Sequence, residues 1–180
     1  MIVVMNHSYN ELLQCANDFL KFDSTVTQTK HRPTGAAFLL AQLGAHAAGR
    51  FAERIAHLGI TPAHAGILRF IARTPGLNQQ RLARFLGVLP SRMVLLIDEL
   101  ADKGLVHRRR STKDRRHSEL VLTKKGQRTL TKLSKIVVAH EADLCGALTR
   151  EERDTLARLG RKIVDHQGLM PDVHPGYRNL

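Results

Sequence analysis

The chain is 180 residues long, enough for one domain with an extension, and its 43% hydrophobic content is enough for a core. Lys and Arg number 28 against 16 acidic residues, a formal net charge of +12, which points to nucleic acid, an anionic membrane surface or another acidic partner. The absence of Trp and a 4% aromatic content argue against single-strand binding by base stacking, and no apolar run is long enough to span a bilayer. The opening "MIVVMNHSYNELL" lacks the basic and long apolar regions of a signal peptide, and Cys15 and Cys145 form neither a CxxC nor a disulfide framework, as expected of a cytoplasmic protein.

In chain order, Ser8 and Glu11 have capping-box spacing ahead of Leu12, Ala16, Phe19 and Leu20, so a short helix is expected within residues 1–21. Residues 22–35 are polar, carry Pro33 and Gly35, and read as a linker. From Ala36 to Leu58 apolar residues recur at steps of three or four (Leu40, Leu43, Ala47, Phe51, Ile55, Leu58), and Gly59 ends the helix. Thr61-Pro62 opens the next, with Ile67, Leu68 and Ile71 inside and Pro75-Gly76 as its stop. Asn78 caps a short helix whose inner face is Leu82, Phe85 and Leu86, closed by Gly87. After a tight turn a helix runs from Pro90 to Lys103, with Met93, Ile97, Leu100 and Ala101 buried and Gly104 following it. Strands are expected at Leu105–Arg109 and Ser118–Leu122. Thr123 caps a long helix to Leu144, with Leu130, Leu133, Val137 and Leu144 on one side. Thr149 and Glu152 form a second capping box, and the last helix, with Leu156, Leu159 and Ile163 inside, ends at Gly168. The tail looks irregular, and Cys145 is expected to be buried.

Between the two strands lies "RRRSTKDRR", residues 108–116, in which six of nine residues are Lys or Arg. Such a run repels itself, so something outside the chain is expected to compensate it. Two short helices joined by a tight turn, followed by a hairpin with a basic tip, make a winged helix-turn-helix. The second helix of such a unit enters the major groove, and the wing lies against phosphates or the minor groove. The fold class is therefore mainly α with a small β-hairpin wing, with dimerisation helices at both ends. The divisions are 1–35 (extension and linker), 36–60 (N-terminal dimerisation helix), 61–122 (DNA-binding lobe), 123–168 (C-terminal dimerisation helices) and 169–180 (tail). The apolar faces of the terminal helices exceed what one small lobe can cover, so a homodimer is expected.

Two stretches, "LARFLGVLPSRMVLLIDELADKGLV" at 82–106 and "GLVHRRRSTKDRRHSELVLTKKGQ" at 104–127, resemble the multiple antibiotic resistance regulator (MarR) family; the resemblance covers about residues 36–167. Asp114, Arg116, Leu120, Leu122, Thr123 and Gly126 match the family's wing pattern, and "LGITPAHAGILRFIA" at 58–72 resembles its preceding helix. The resemblance implies a homodimeric regulator of a pseudo-palindromic operator, a repressor released by a small aromatic or amphipathic anion bound between the dimer helices and the DNA-binding lobe.

The residues expected to touch DNA are Gln79, Gln80, Ser91, Arg92, Val94, Leu95, Arg109, Arg110, Lys113, Arg115 and Arg116. Arginine can read guanine, and helix N-termini favour phosphate. Leu95 departs from the family, which often carries a basic residue there. Ordinary surface exposure is the competing reading for Arg92 and Gln80. His46, Arg50 and His64 are the candidates for effector binding. Ten histidines show no zinc spacing, so no metal or cofactor is expected. No nucleophile motif, phosphate loop or paired-carboxylate constellation suggests an enzyme. The alternative function is a non-specific, architectural basic DNA-binding protein without an effector.

Overall fold

The computed structural model describes residues 35–110, 118–170, 173–174 and 177. The expected helix within 1–21, nearly all of the linker, Cys15 and the hairpin tip lie outside the described residues. The chain divides into two compact units, Met1–Ala41 and Gln42–Leu180. Of the first, only the opening of the first helix is described.

Helix α1 spans Ala36–Ala56. It stops two residues short of Leu58, because the Leu58 and Gly59 amides bond the carbonyls of Ile55 and Ala56, three residues back, and Gly59 takes a φ of 67°. Helix α2, Pro62–Arg73, starts with Thr61 as N-cap and buries Ile67, Leu68 and Ile71. Helix α3, Gln79–Leu86, is capped by Asn78, whose Oδ1 accepts from Arg81 N at 2.8 Å. Phe85, expected inside, is 42% exposed; Leu82, Ala83 and Leu86 face the core instead. An eight-residue helix offers a single narrow inner face, and Ala83 lets it approach closely.

Helix α4, Pro90–Asp102, buries Met93, Leu96, Ile97 and Leu100. It ends as Gly104 turns left-handed, φ 66°, and Leu105 N bonds Leu100 O at 2.9 Å. That use of the Leu105 amide explains why strand β1 is Val106–Arg110, one residue later than expected. Strand β2, Ser118–Leu122, pairs with it antiparallel, Val106 opposite Leu122 and Arg108 opposite Leu120. Leu120 N also donates to Leu77 O at 2.8 Å, fastening the hairpin to the loop before α3.

Helix α5, Lys124–Leu144, is capped by Thr123, whose hydroxyl accepts from Gly126 N and donates to Gly104 O at 2.7 Å. Helix α6, Arg150–His166, opens on the expected capping box, with Thr149 N donating to Glu152 Oε2 at 2.8 Å. None of its residues is buried; Leu156, Leu159 and Ile163, expected inside, are each 45% exposed because nothing among the described residues covers them. The core lies in the lobe, where Leu77, Leu82, Met93, Ile97 and Leu100 from the helix-turn-helix region meet Ile67 and Leu68 of α2 and Val106 and Leu120 of the hairpin.

Two further expectations are corrected. Cys145 is half-buried rather than buried. It follows the last turn of α5, where its thiol faces Glu141 at 3.6 Å, and partial burial and that carboxylate raise its pKa. The tail is not wholly irregular: Tyr177 packs into the core and donates its hydroxyl to Ala63 O at 2.9 Å.

Candidate nucleic-acid interface

The turn between α3 and α4 is set by Gly87, φ 65°, and by Pro90 at the first helical position. With the stripe of α4 buried, Ser91, Val94 and Leu95 are exposed on its outer side. This is the arrangement read from the sequence. Arg92 differs. It is half-buried, its Nε is enclosed without a hydrogen-bond partner, and it lines a cavity on the flank of α4.

The basic strand divides by function. Arg108 donates to Gln79 Oε1 at 3.1 Å and to Asp98 Oδ1 at 2.7 Å, so one guanidinium joins the wing to the start of α3 and to α4. Arg109 pairs with its cross-strand neighbour Glu119 at 3.1 Å. Arg110 is exposed, as are Gln80 and Arg81 on the first turn of α3. Lys113, Arg115 and Arg116 lie outside the described residues. The sequence reading missed Asp98. Asp98 lies one turn beyond Leu95, on the outer stripe of α4 that ends in Asp102.

None of the three effector candidates lines the cavity beside Arg92. His46 is exposed on α1. Arg50 pairs with Glu53 at 3.4 Å and with Asp143 of α5 at 3.8 Å, beside the Arg54–Asp143 pair. His64 is buried at 2% exposure and completes a capping box: its Nδ1 accepts Thr61 N–H at 3.2 Å while Thr61 Oγ1 accepts His64 N–H at 3.3 Å. Its Nε2 therefore carries the proton and lies 3.1 Å from Glu99 Oε2 of α4, off the hydrogen-bonding line. Burial pushes its pKa below the ordinary 6.5, with Glu99 opposing.

The cavity has a volume of about 320 Å³. Pro62 and Ala63 of α2, Arg92, Leu96 and Glu99 of α4, and Tyr177 of the tail line it. It combines an apolar body with one cation and one carboxylate at the edge, the makeup of a site for a single small amphipathic molecule. Among the described residues no group of His, Cys, Asp or Glu could hold a metal ion, and no helix is long and apolar enough to cross a membrane.

Residues 58–117 match the family model described as MarR family. The solved structure of the transcriptional repressor CouR, bound to a 23-mer DNA duplex, is 34% identical; the match covers 72% of this chain and 92% of that one, with a TM-score of 0.65. The chain belongs to the MarR family. A curated relative, the putative transcriptional regulatory protein for the hcr operon of Thauera aromatica, is 35% identical over 105 residues, and the match spans 63% of its length. The HTH-type transcriptional repressor Rv2887 of Mycobacterium tuberculosis is 28% identical over 126 residues, covering 70% of this chain and 91% of the relative. Crystal structures of that MarR-family protein include complexes with DNA and with salicylic acid, at TM-scores of 0.62 and 0.59. MarR of E. coli, at 23% identity and a TM-score of 0.64, shares the fold.

Proposed function

We propose that the protein is a sequence-specific regulator of transcription that binds double-stranded DNA as a homodimer. It represses from a pseudo-palindromic operator and releases that DNA when a small aromatic or amphipathic anion binds. The observation that carries the DNA reading is the exposed outer side of α4, Ser91, Val94 and Leu95, held beside a basic hairpin by the Arg108 bridge to Gln79 and Asp98. In a chain of net charge +12 this places a groove-sized helix next to cations suited to phosphate. Arg110 with Lys113, Arg115 and Arg116 would supply the backbone contacts, and Ser91 the polar contact at the base edges. Val94 and Leu95 suit thymine methyls, so shape and apolar contact carry much of the readout.

Homodimerisation is supported by the uncovered leucines and isoleucine of α6. The effector reading is supported by the cavity beside α4 and by Arg92, a cation in its wall. A carboxylate in the cavity would meet the charge of Arg92, and a ring would lie against Pro62, Leu96 and Tyr177. Selection of genomic fragments on the purified protein, followed by footprinting, tests the function. Protection of two half-sites about one helical turn apart is expected. Coating of DNA without defined edges would replace this reading with that of an architectural binder.

A further inference from the structure

The described residues leave α6 with no buried side chain, yet the chain beyond it returns to the DNA-binding lobe. Gly168, φ 61°, reverses the backbone, with Leu169 N bonding Val164 O at 3.1 Å. Val173 then packs on the edge of the core, and Tyr177 enters it with 7% exposure. The Tyr177 ring seats over Gly66 in the middle of α2, where a Cβ would overlap the phenol, and its hydroxyl donates to Ala63 O at 2.9 Å. A glycine inside a helix is unfavourable by itself; here it makes room for a side chain 111 positions further along the sequence. His174 and Tyr177 also share the walls of the cavity that Arg92, Leu96 and Glu99 of α4 line.

The geometry points to the C-terminal tail as a built-in tie, anchored by Tyr177 over Gly66, that holds α6 to the DNA-binding lobe beside the recognition helix. A tie of this kind narrows the range of orientations that the lobe takes relative to the last helix. Two lobes must meet two half-sites at once, so the tie favours the palindrome without altering what a single lobe reads. This last consequence rests on the DNA-binding reading; the tie itself does not.

Two independent measurements test it. The chain holds two tyrosines, so Tyr9→Phe leaves Tyr177 as the sole phenol. Burial raises its pKa to about 12, against an ordinary 10.0. Gly66→Ala displaces the ring while favouring the helix, and in the Tyr9→Phe background the phenol should then titrate near its ordinary value. Spin labels at Arg84→Cys of α3 and Arg158→Cys of α6, in a chain without Cys15 and Cys145 diluted into unlabelled protein, report the distance between lobe and last helix. Gly66→Ala and Tyr177→Ala should both broaden that distribution, with Tyr177→Phe between them and the parent. Both should lower affinity for a palindromic duplex about tenfold and leave a half-site duplex unchanged. A distribution that stays narrow once the phenol is released overturns the tie, as does a parent phenol that titrates at its ordinary value. If the parent binds no duplex at all, the regulator reading fails, and the tie stands or falls on the label distances.

Discussion

A methyl group added at Gly126 would overlap the carbonyl of Leu105, where the first turn of α5 meets the residue that leads into β1. The residue stands at the glycine of the wing's closing pattern, and the close approach is the physical reason a glycine suits it. Gly126→Ala gains up to about 1 kcal/mol of helix propensity but should lose roughly 1–3 kcal/mol to overlap with rigid backbone. A net fall in the urea midpoint at unchanged slope is expected; a more stable variant would contradict the packing. Arg92 invites a different experiment. Read from the sequence it belongs with the DNA contacts, whereas the structure half-buries it in the wall of a cavity. Arg92→Ala should therefore abolish release of operator by an aromatic carboxylate and change the operator-to-random affinity ratio less than about threefold, under 1 kcal/mol. A collapse of that ratio would return Arg92 to the base-reading surface.

The ends of the elements were legible because their signals are local. Thr61, Asn78, Thr123 and Thr149 cap helices within three residues of themselves, and Gly59, Gly87, Gly104 and Gly168 turn left-handed where the helices stop. What escaped is non-local or chemically unusual. Nothing near Tyr177 announces that it docks 114 residues back, on Ala63. Nothing near Arg108 announces a bridge to Gln79 and Asp98. His64 stands where a capping box normally places Glu or Gln, which hid its role. That substitution has a pH signature. The folded pKa of His64 lies below its unfolded value of 6.5, so the unfolded chain takes up the proton first. The cost is absent at neutral pH and grows as pH falls through about 6.5 toward the folded pKa. His64→Gln keeps an acceptor for Thr61 N–H and does not titrate. Denaturation of the two proteins across this window should show the parent losing more stability on the acid side; parallel curves would remove His64 as the cause. At the wing, Arg108→Ala leaves Asp98 unpaired where DNA phosphates are proposed to pass, so affinity should fall about tenfold, ~1.4 kcal/mol. Adding Asp98→Asn should restore part of that loss. If the double variant binds no better than Arg108→Ala, Asp98 is not what opposes the DNA.

The described residues form a well-packed lobe and long helices that find little cover among them. Val138, at 70% exposure, and the half-exposed Leu156, Leu159 and Ile163 would be unfavourable in a monomer. Light scattering should give twice the 20.1 kDa chain mass at micromolar concentration. Leu156→Asp with Leu159→Asp should shift the protein to monomer and remove tight palindrome binding, while the far-ultraviolet signal of the lobe persists. A dimer that survives both charges would place the interface elsewhere. The bond from Leu120 N to Leu77 O, with the Arg108 bridge beside it, ties the hairpin to the two helices it accompanies. On the proposed DNA reading, helix and wing would move along DNA as one calliper of fixed opening. A lobe built this way would keep one phase between the major groove it is proposed to enter and the neighbouring minor groove. In the proposed dimer, any tolerance for operators whose half-sites stand closer or farther apart would come from the segments joining the two lobes. Lengthening the operator centre one base pair at a time would reveal how much those segments yield.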